Sequence, residues 1–214
     1  ILVFEGSNKE NLFFLKDICK IDNRFTLVES DSVLGLVKSL NLGLSLAKSK
    51  YIARFDSDDK MKPNRLLTQY NFLEKNPAIT VVGSNIIKIN NSGKSVGLRK
   101  YPESGESLLR YFSFRCGLAH PSVMYRLSDI KAVGMYNENL SKGEDLDLWL
   151  RLLRAGYKFF NIQIPLLEYR LNNLRGQTHW REVLKIRKSY RGLFGKNRER
   201  FVIIFFNIYL LLKK

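Results

Sequence analysis

Four short apolar, β-rich runs, at residues 1–4, 25–28, 51–55 and 79–89, are separated by three stretches with helical spacing, and this alternation limits the fold more than any other feature of the chain. Residues 9–20 carry apolar side chains at 12, 13, 15 and 18, and residues 33–48 place Leu36, Val37, Leu40, Leu44 and Ala47 on one stripe. Pro63 opens a third helix, whose expected buried side is Leu66, Leu67, Tyr70 and Leu73, and Asn76-Pro77 stops it. Strands alternating with helices predict an α/β fold with a mostly parallel, mixed sheet flanked by helices. Residues 90–106, rich in Gly, Ser, Asn and Lys, read as a loop or crossover. A short helix at 107–112, a strand at 122–126, helices at 128–133 and 144–155, and a last strand at 158–162 follow, with Gly156 where a helix cap belongs.

At 214 residues the chain holds one sizeable domain rather than two. Hydrophobic residues at 45% and charged residues at 26% exclude a disordered chain, a collagen-like one and a polytopic membrane protein. The net charge of +16 calls for a polyanionic partner: nucleic acid, an anionic membrane surface or a phosphorylated substrate. Half of that charge lies in residues 170–200, where ten basic residues face two acids. Residues 201–212, with only Asn207 strongly polar, fall short of the roughly 20 apolar residues that cross a bilayer. The expected division is therefore a catalytic-type domain at 1–169 and, at 170–214, a basic tail of one or two amphipathic helices that associates with a membrane surface. Cys19 and Cys116 have neither metal-ligand spacing nor a disulfide framework and read as free thiols. The opening Ile1-Leu2-Val3-Phe4 is a buried-strand run with no targeting segment before it, so the sequence is expected to begin inside a domain.

Arg54-Phe55-Asp56-Ser57-Asp58-Asp59 puts three carboxylates in four positions where a strand leaves the sheet. Ligands of open α/β sheets sit beyond strand carboxyl ends, and clustered acids there repel one another unless a cation intervenes. Hard oxygen ligands suit Mg²⁺ or Mn²⁺, ions that commonly also hold substrate phosphates; the competing reading is a solvated turn that caps the next helix. Gly143-Glu144-Asp145-Leu146-Asp147-Leu148-Trp149 fills the first turn of a helix with acids, which stabilise the macrodipole whatever else they do. Asp147 is expected to do no more than that. His120, before Pro121, is placed to contact a phosphate or complete a metal site, or else to serve structure.

An ordered series of segments resembles the inverting nucleotide-sugar glycosyltransferases of family 2, which have the GT-A (Rossmann-like) fold. The series is Glu5-Gly6-Ser7; Gly35-Leu36 and Asn41-Leu42-Gly43; Tyr51 through Asp59; Pro63-Asn64-Arg65-Leu66; Val82-Gly83-Ser84; His120-Pro121-Ser122-Val123-Met124; and Glu144 through Leu150. The wording is similar to the bacterial branch that makes amylovoran-type exopolysaccharides. The resemblance implies that Asp58 ligates a divalent ion, Mn²⁺ or Mg²⁺, bridging the donor diphosphate. It implies that Asp56 contacts ribose or ion, that Asp59 supports both, and that Asp145 is the base that deprotonates the acceptor hydroxyl. Glu144 and His120 would help bind substrate, and Glu5 would meet the nucleotide base, although the family usually has an aspartate there. Leu40 replaces a common arginine. Family members usually begin with one more apolar strand, so an N-terminally truncated domain is expected.

The function implied is sugar transfer, with inversion, from a nucleotide-diphosphate sugar, most simply UDP-linked, to a lipid-linked or saccharide acceptor in bacterial envelope polysaccharide assembly. The place implied is the cytoplasmic, inner face of the bacterial cytoplasmic membrane, with the tail on its anionic surface. A basic nucleic-acid-binding module explains the charge but leaves Asp56, Asp58 and Asp59 without a purpose and has no recognised motif, so no nucleic-acid partner is expected. An inactive fragment that keeps the fold is the third reading.

Overall fold

The computed structural model describes residues 1–6, 8–171, 177–190 and 192–195. Elements follow in the order β1 (Leu2–Glu5), α1 (Lys9–Ile21), β2 (Leu27–Ser30), α2 (Leu36–Leu46), β3 (Tyr51–Ala53), β4 (Lys60–Met61) and α3 (Arg65–Lys75). Then come β5 (Ile79–Ile89), β6 (Ser95–Arg99), α4 (Gly105–Phe114), a 3₁₀ turn (His120–Ser122), β7 (Met124–Arg126), α5 (Leu127–Ala132), α6 (Glu144–Arg154), β8 (Lys158–Arg170) and α7 (Gln177–Ser189).

β1 and β2 form a parallel pair of their own, while the larger sheet runs β3-β7-β5-β8-β4 with β6 also on β5. The long strand β5 organises that sheet. β8 lies parallel along one edge from Ile79 to Ile89, and the other edge is shared by β7, opposite Val81 and Val82, and β6, opposite Ile86 to Ile89. The class is the mixed α/β one expected, with a smaller parallel share than the strand–helix alternation suggested. β1·β2 and β5·β8 are parallel, and the β3·β7, β5·β7, β5·β6 and β4·β8 pairs are antiparallel. The reason is local: β6 returns from β5 through the short Asn90–Lys94 turn, which admits only an antiparallel partner.

The main core gathers Val81, Phe112, Tyr125, Leu148, Trp149, Leu152 and Phe159 between the sheet and helices α4 to α6. α7 adds Val183, Ile186 and Tyr190 to the same core, so the described part of the basic tail buries its apolar side against α6 rather than presenting it outward. The apolar segment 201–212, expected as an anchor, lies outside the described residues. Among the described residues no helix is long and apolar enough to cross a membrane.

Three expectations are corrected. Leu66, Leu67 and Tyr70 are exposed, and α3 instead buries Arg65, Gln69 and Leu73, an i, i+4, i+8 row. Arg65 Nη2 donates to the carbonyls of Arg54 (2.6 Å) and Val123 (3.2 Å), and Gln69 Nε2 to those of Val82 (3.0 Å) and Ser122 (2.7 Å), so a polar row ties up strand-end carbonyls that would otherwise be buried without donors. Residues 95–99 form a strand within the supposed loop. β8 continues eight residues beyond the expected end at 162, passing Pro165 where its register with β5 shifts, a position at which a strand tolerates a missing N–H.

Candidate active site

The acidic turn after β3 is fixed from both sides. Arg54 N–H donates to the Val123 carbonyl (3.0 Å), continuing the β3·β7 ladder past Ala53, and β4 pairs with Leu167 and Glu168 of β8. Between them Asp59 N–H closes a turn on the Asp56 carbonyl (3.2 Å). Arg170, at the end of β8, clamps the turn with its N–H to Asp59 Oδ1 (2.8 Å), its Nε to the Asp58 carbonyl (2.8 Å) and its Nη1 to the Asn90 and Asn91 carbonyls (2.8 and 2.7 Å).

On this frame, ligand oxygens of Asp56, Asp58 and Asp59 come within 4.8 Å of one another. Asp56 is gripped bidentately by the buried Arg54, at 2.6 and 2.5 Å. Burial still holds its carboxyl above the ordinary range, against Arg54 and with Asp58 and Asp145 adding to the rise. Asp59 is raised to about 6, chiefly by burial and then, against the Arg170 N–H, by Asp56 and Asp58. Its Oδ2 is buried with no hydrogen-bond partner among the described residues. An orphaned carboxylate oxygen beside two further carboxylates is a donor set for a hard divalent cation.

α6 opens at Gly143 in the left-handed region (φ 77°), which side chains rarely adopt, and an added Cβ would also press on Ile186 Cδ1 of α7 at 2.8 Å. Its three acids go separate ways. Glu144 is buried, with Oε1 3.9 Å from His120 Nδ1; burial and then Asp145 push its carboxyl up to about 7. Asp145 is half-buried, taking the Leu146 N–H on Oδ1 (2.7 Å) and the Cys116 thiol on Oδ2 (3.6 Å). Asp147 faces the core, accepting from Arg151 Nε (2.9 Å) and the Tyr190 hydroxyl (2.8 Å). It does more than the helix-end stabilisation expected of it, because the Tyr190 bond also ties α6 to α7.

A cavity of about 590 Å³ brings Arg54, Asp56, His120, Glu144 and Asp145 together. Asp58 and Asp59 stand at its Asp56 side through their own cluster. His120 is buried, bonded through Nε2 to the Tyr136 hydroxyl (2.7 Å), and burial then Arg54 hold its pKa well below the usual value, so it faces Glu144 as a neutral ring. Glu5 is not among the lining residues. Its Oε2 takes the Leu34 and Gly35 N–H groups (2.6 and 2.8 Å) and the Ser39 hydroxyl (3.2 Å), fastening the start of α2 to β1. Sequence reasoning missed Arg54 and Cys116. Arg54 was within reach, because i and i+2 on an extended chain share a face with Asp56, whereas nothing local ties Cys116 to an acid 29 positions away.

The arrangement offers a cation site, a half-buried carboxylate beside it and room for a substrate. Residues 1–131 match the model of glycosyl transferase family 2. The amylovoran biosynthesis glycosyltransferase AmsE of Erwinia amylovora is 28% identical over 170 residues, covering 79% of this chain and 63% of that protein. The UDP-Gal:alpha-D-GlcNAc-diphosphoundecaprenol beta-1,3-galactosyltransferase of Escherichia coli is 33% identical over 149 residues, covering 69% and 52%. The chain thus spans less than two thirds of the length of these relatives. The crystal structure of S. aureus TarS 1–349 in complex with UDP superposes with a TM-score of 0.64 at 16% identity, over 95% of this chain and 60% of that one, which is a likeness of fold. The GT-A architecture and the match over residues 1–131 place this chain in glycosyl transferase family 2.

Proposed function

We propose that this glycosyltransferase moves a sugar, with inversion, from a UDP-linked donor to a lipid-linked or saccharide acceptor in bacterial envelope polysaccharide assembly. The observation that carries the reading is the convergence, in one cavity, of the carboxylate cluster around Asp56 and the separate carboxylate of Asp145. The relatives named for amylovoran and for a diphosphoundecaprenol acceptor, and the UDP bound by TarS, support the substrate classes.

Asp56, Asp58 and Asp59 would hold Mn²⁺ or Mg²⁺, since Asp59 Oδ2 has no hydrogen-bond partner among the described residues and each Asp56 oxygen keeps a lone pair beyond its bond to Arg54. When bound, such an ion offsets charge on the donor's departing diphosphate. Asp145 takes the proton of the acceptor hydroxyl, which attacks the anomeric carbon from the side opposite the leaving group. Its Oδ2 has only a weak thiol donor, so it keeps a lone pair for that proton. Glu144, with its carboxyl raised to about 7, carries a proton much of the time at neutral pH and so can donate to an acceptor oxygen beside Asp145. The tail, rich in Lys and Arg, holds the protein at the inner face of the cytoplasmic membrane, where each basic residue near anionic lipid contributes about 1 kcal/mol.

A panel of nucleotide-sugars incubated with the full chain and Mn²⁺, read by released nucleoside diphosphate, tests this. UDP release that needs the metal and rises with acceptor is expected; release from no donor, or release indifferent to metal, would overturn it.

A further inference from the structure

The cavity that holds the acids also has a basic wall, and the two do not neutralise each other. Arg54 pairs with Asp56. Arg99, Arg115 and Lys142 line the same cavity, and among the described residues none of them pairs with a carboxylate. Arg99, half-buried at the end of β6, is steered by an aromatic group: its guanidinium lies 4.8 Å from the centre of the buried Tyr101 ring. Lys142, also half-buried, stands two residues before Glu144. Arg187, buried on α7, donates to the Phe112 and Ser113 carbonyls (2.6 and 2.8 Å). Arg99 and Lys142, half-buried with no carboxylate partner among the described residues, are costly to hold there, and their presence in a substrate cavity is accounted for when the substrate brings the anion.

We propose that this wall is a subsite for a phosphate or diphosphate carried by the acceptor. The inference rests on the reading of the cavity as a glycosyltransferase site with Asp145 facing the acceptor. Arg99 offers a planar fork suited to phosphate oxygens, and Lys142 a point charge. Chain neighbours place the wall on the acceptor side: Arg115 precedes Cys116, whose thiol donates to Asp145, and Lys142 is three residues from Asp145. Phe114, exposed and next in the chain to Arg115, lines the cavity and offers apolar surface to an acyl or prenyl chain leaving the phosphate. The donor's diphosphate is served at the Asp56 cluster, so donor and acceptor phosphates occupy separate ends.

Calorimetric titration of the full chain, first saturated with UDP and Mg²⁺, separates the possibilities. Geranyl diphosphate is expected to bind the saturated protein and geraniol not to bind. Equal binding of glycerol 3-phosphate would keep the subsite but assign it to phosphate alone, as in a phosphate-linked polymer; weaker binding assigns it to a lipid diphosphate. The Arg99→Gln/Lys142→Gln double variant should lose about tenfold or more of the affinity for geranyl diphosphate, while its unchanged UDP affinity reports an intact fold. Displacement of UDP by geranyl diphosphate, equal binding by the variant, or no binding at all overturns the proposal. Failure of UDP itself to bind with metal would instead break the donor reading, and the titration of UDP-free protein with geranyl diphosphate would still report on the wall.

Discussion

The acidic turn after β3 and the acidic first turn of α6 are built in opposite ways. In the first, three carboxylates converge within 4.8 Å, with one oxygen of Asp59 lacking a hydrogen-bond partner among the described residues. In the second, Glu144, Asp145 and Asp147 diverge to His120, to Cys116 and to the Arg151–Tyr190 pair. Concentrated negative charge makes a place for a cation, whereas dispersed charge gives each acid its own environment and frees one for proton chemistry. Equal numbers of acids in the sequence therefore do unlike work, and the backbone decides which.

The sharpest way to break this contrast is Asp58→Ala, which should abolish transfer and metal-dependent UDP binding while leaving the melting temperature equal or higher, because one of several repelling carboxylates is gone. Unchanged UDP affinity would remove the turn from metal binding. Next in size, Asp145→Asn should cost about 10²–10⁴-fold in turnover with UDP binding near normal, as expected of a base acting in the transition state. Asp147→Asn should leave turnover within a few-fold and instead lower stability by about 1–3 kcal/mol in urea unfolding, since it weakens bonds to Arg151 and Tyr190. Equal turnover in the Asp145 and Asp147 variants would collapse the distinction between them.

The smallest effect is a pH dependence. With its carboxyl raised from 4.5 to about 7, Glu144 binds a proton more tightly folded than unfolded, so in metal-free protein its contribution to stability should fall as pH rises from about 4.5 to about 7, on top of the fall that Asp59 gives up to about 6 and against the gain from the buried neutral His120. Glu144→Gln should remove its own part of that slope in melting scans across the window and leave the parts carried by Asp59 and His120.

The acids were legible in the sequence because each group interrupts a periodic apolar run, so Asp56 through Asp59 stood out at a strand end and Glu144 through Asp147 at a helix start. α3 was misread for the converse reason. Periodicity treats Arg65 and Gln69 as a solvent face, and only the three-dimensional position of the Arg54, Val82, Ser122 and Val123 carbonyls reveals that they are the buried one. β8 beyond residue 162 was hidden by Pro165 and Glu168, which read as loop residues until the bulged register with β5 is seen. The basic wall was invisible, as its members come from β6, the end of α4, the turn before α6, and α7, and no spacing links them.

One further consequence follows from α1, in which no residue is buried, and from β1 and β2, which pair among the described strands only with each other. Opening this unit exposes little apolar surface, so its opening free energy lies toward the low end of the range within a folded protein, while β5 and β8, paired along their whole length, lie near the top. In deuterated solvent the amides of α1 would exchange first and those of β5 last, and the Glu5 carboxylate, spanning from β1 to the Leu34, Gly35 and Ser39 donors, is the link whose removal would widen that gap.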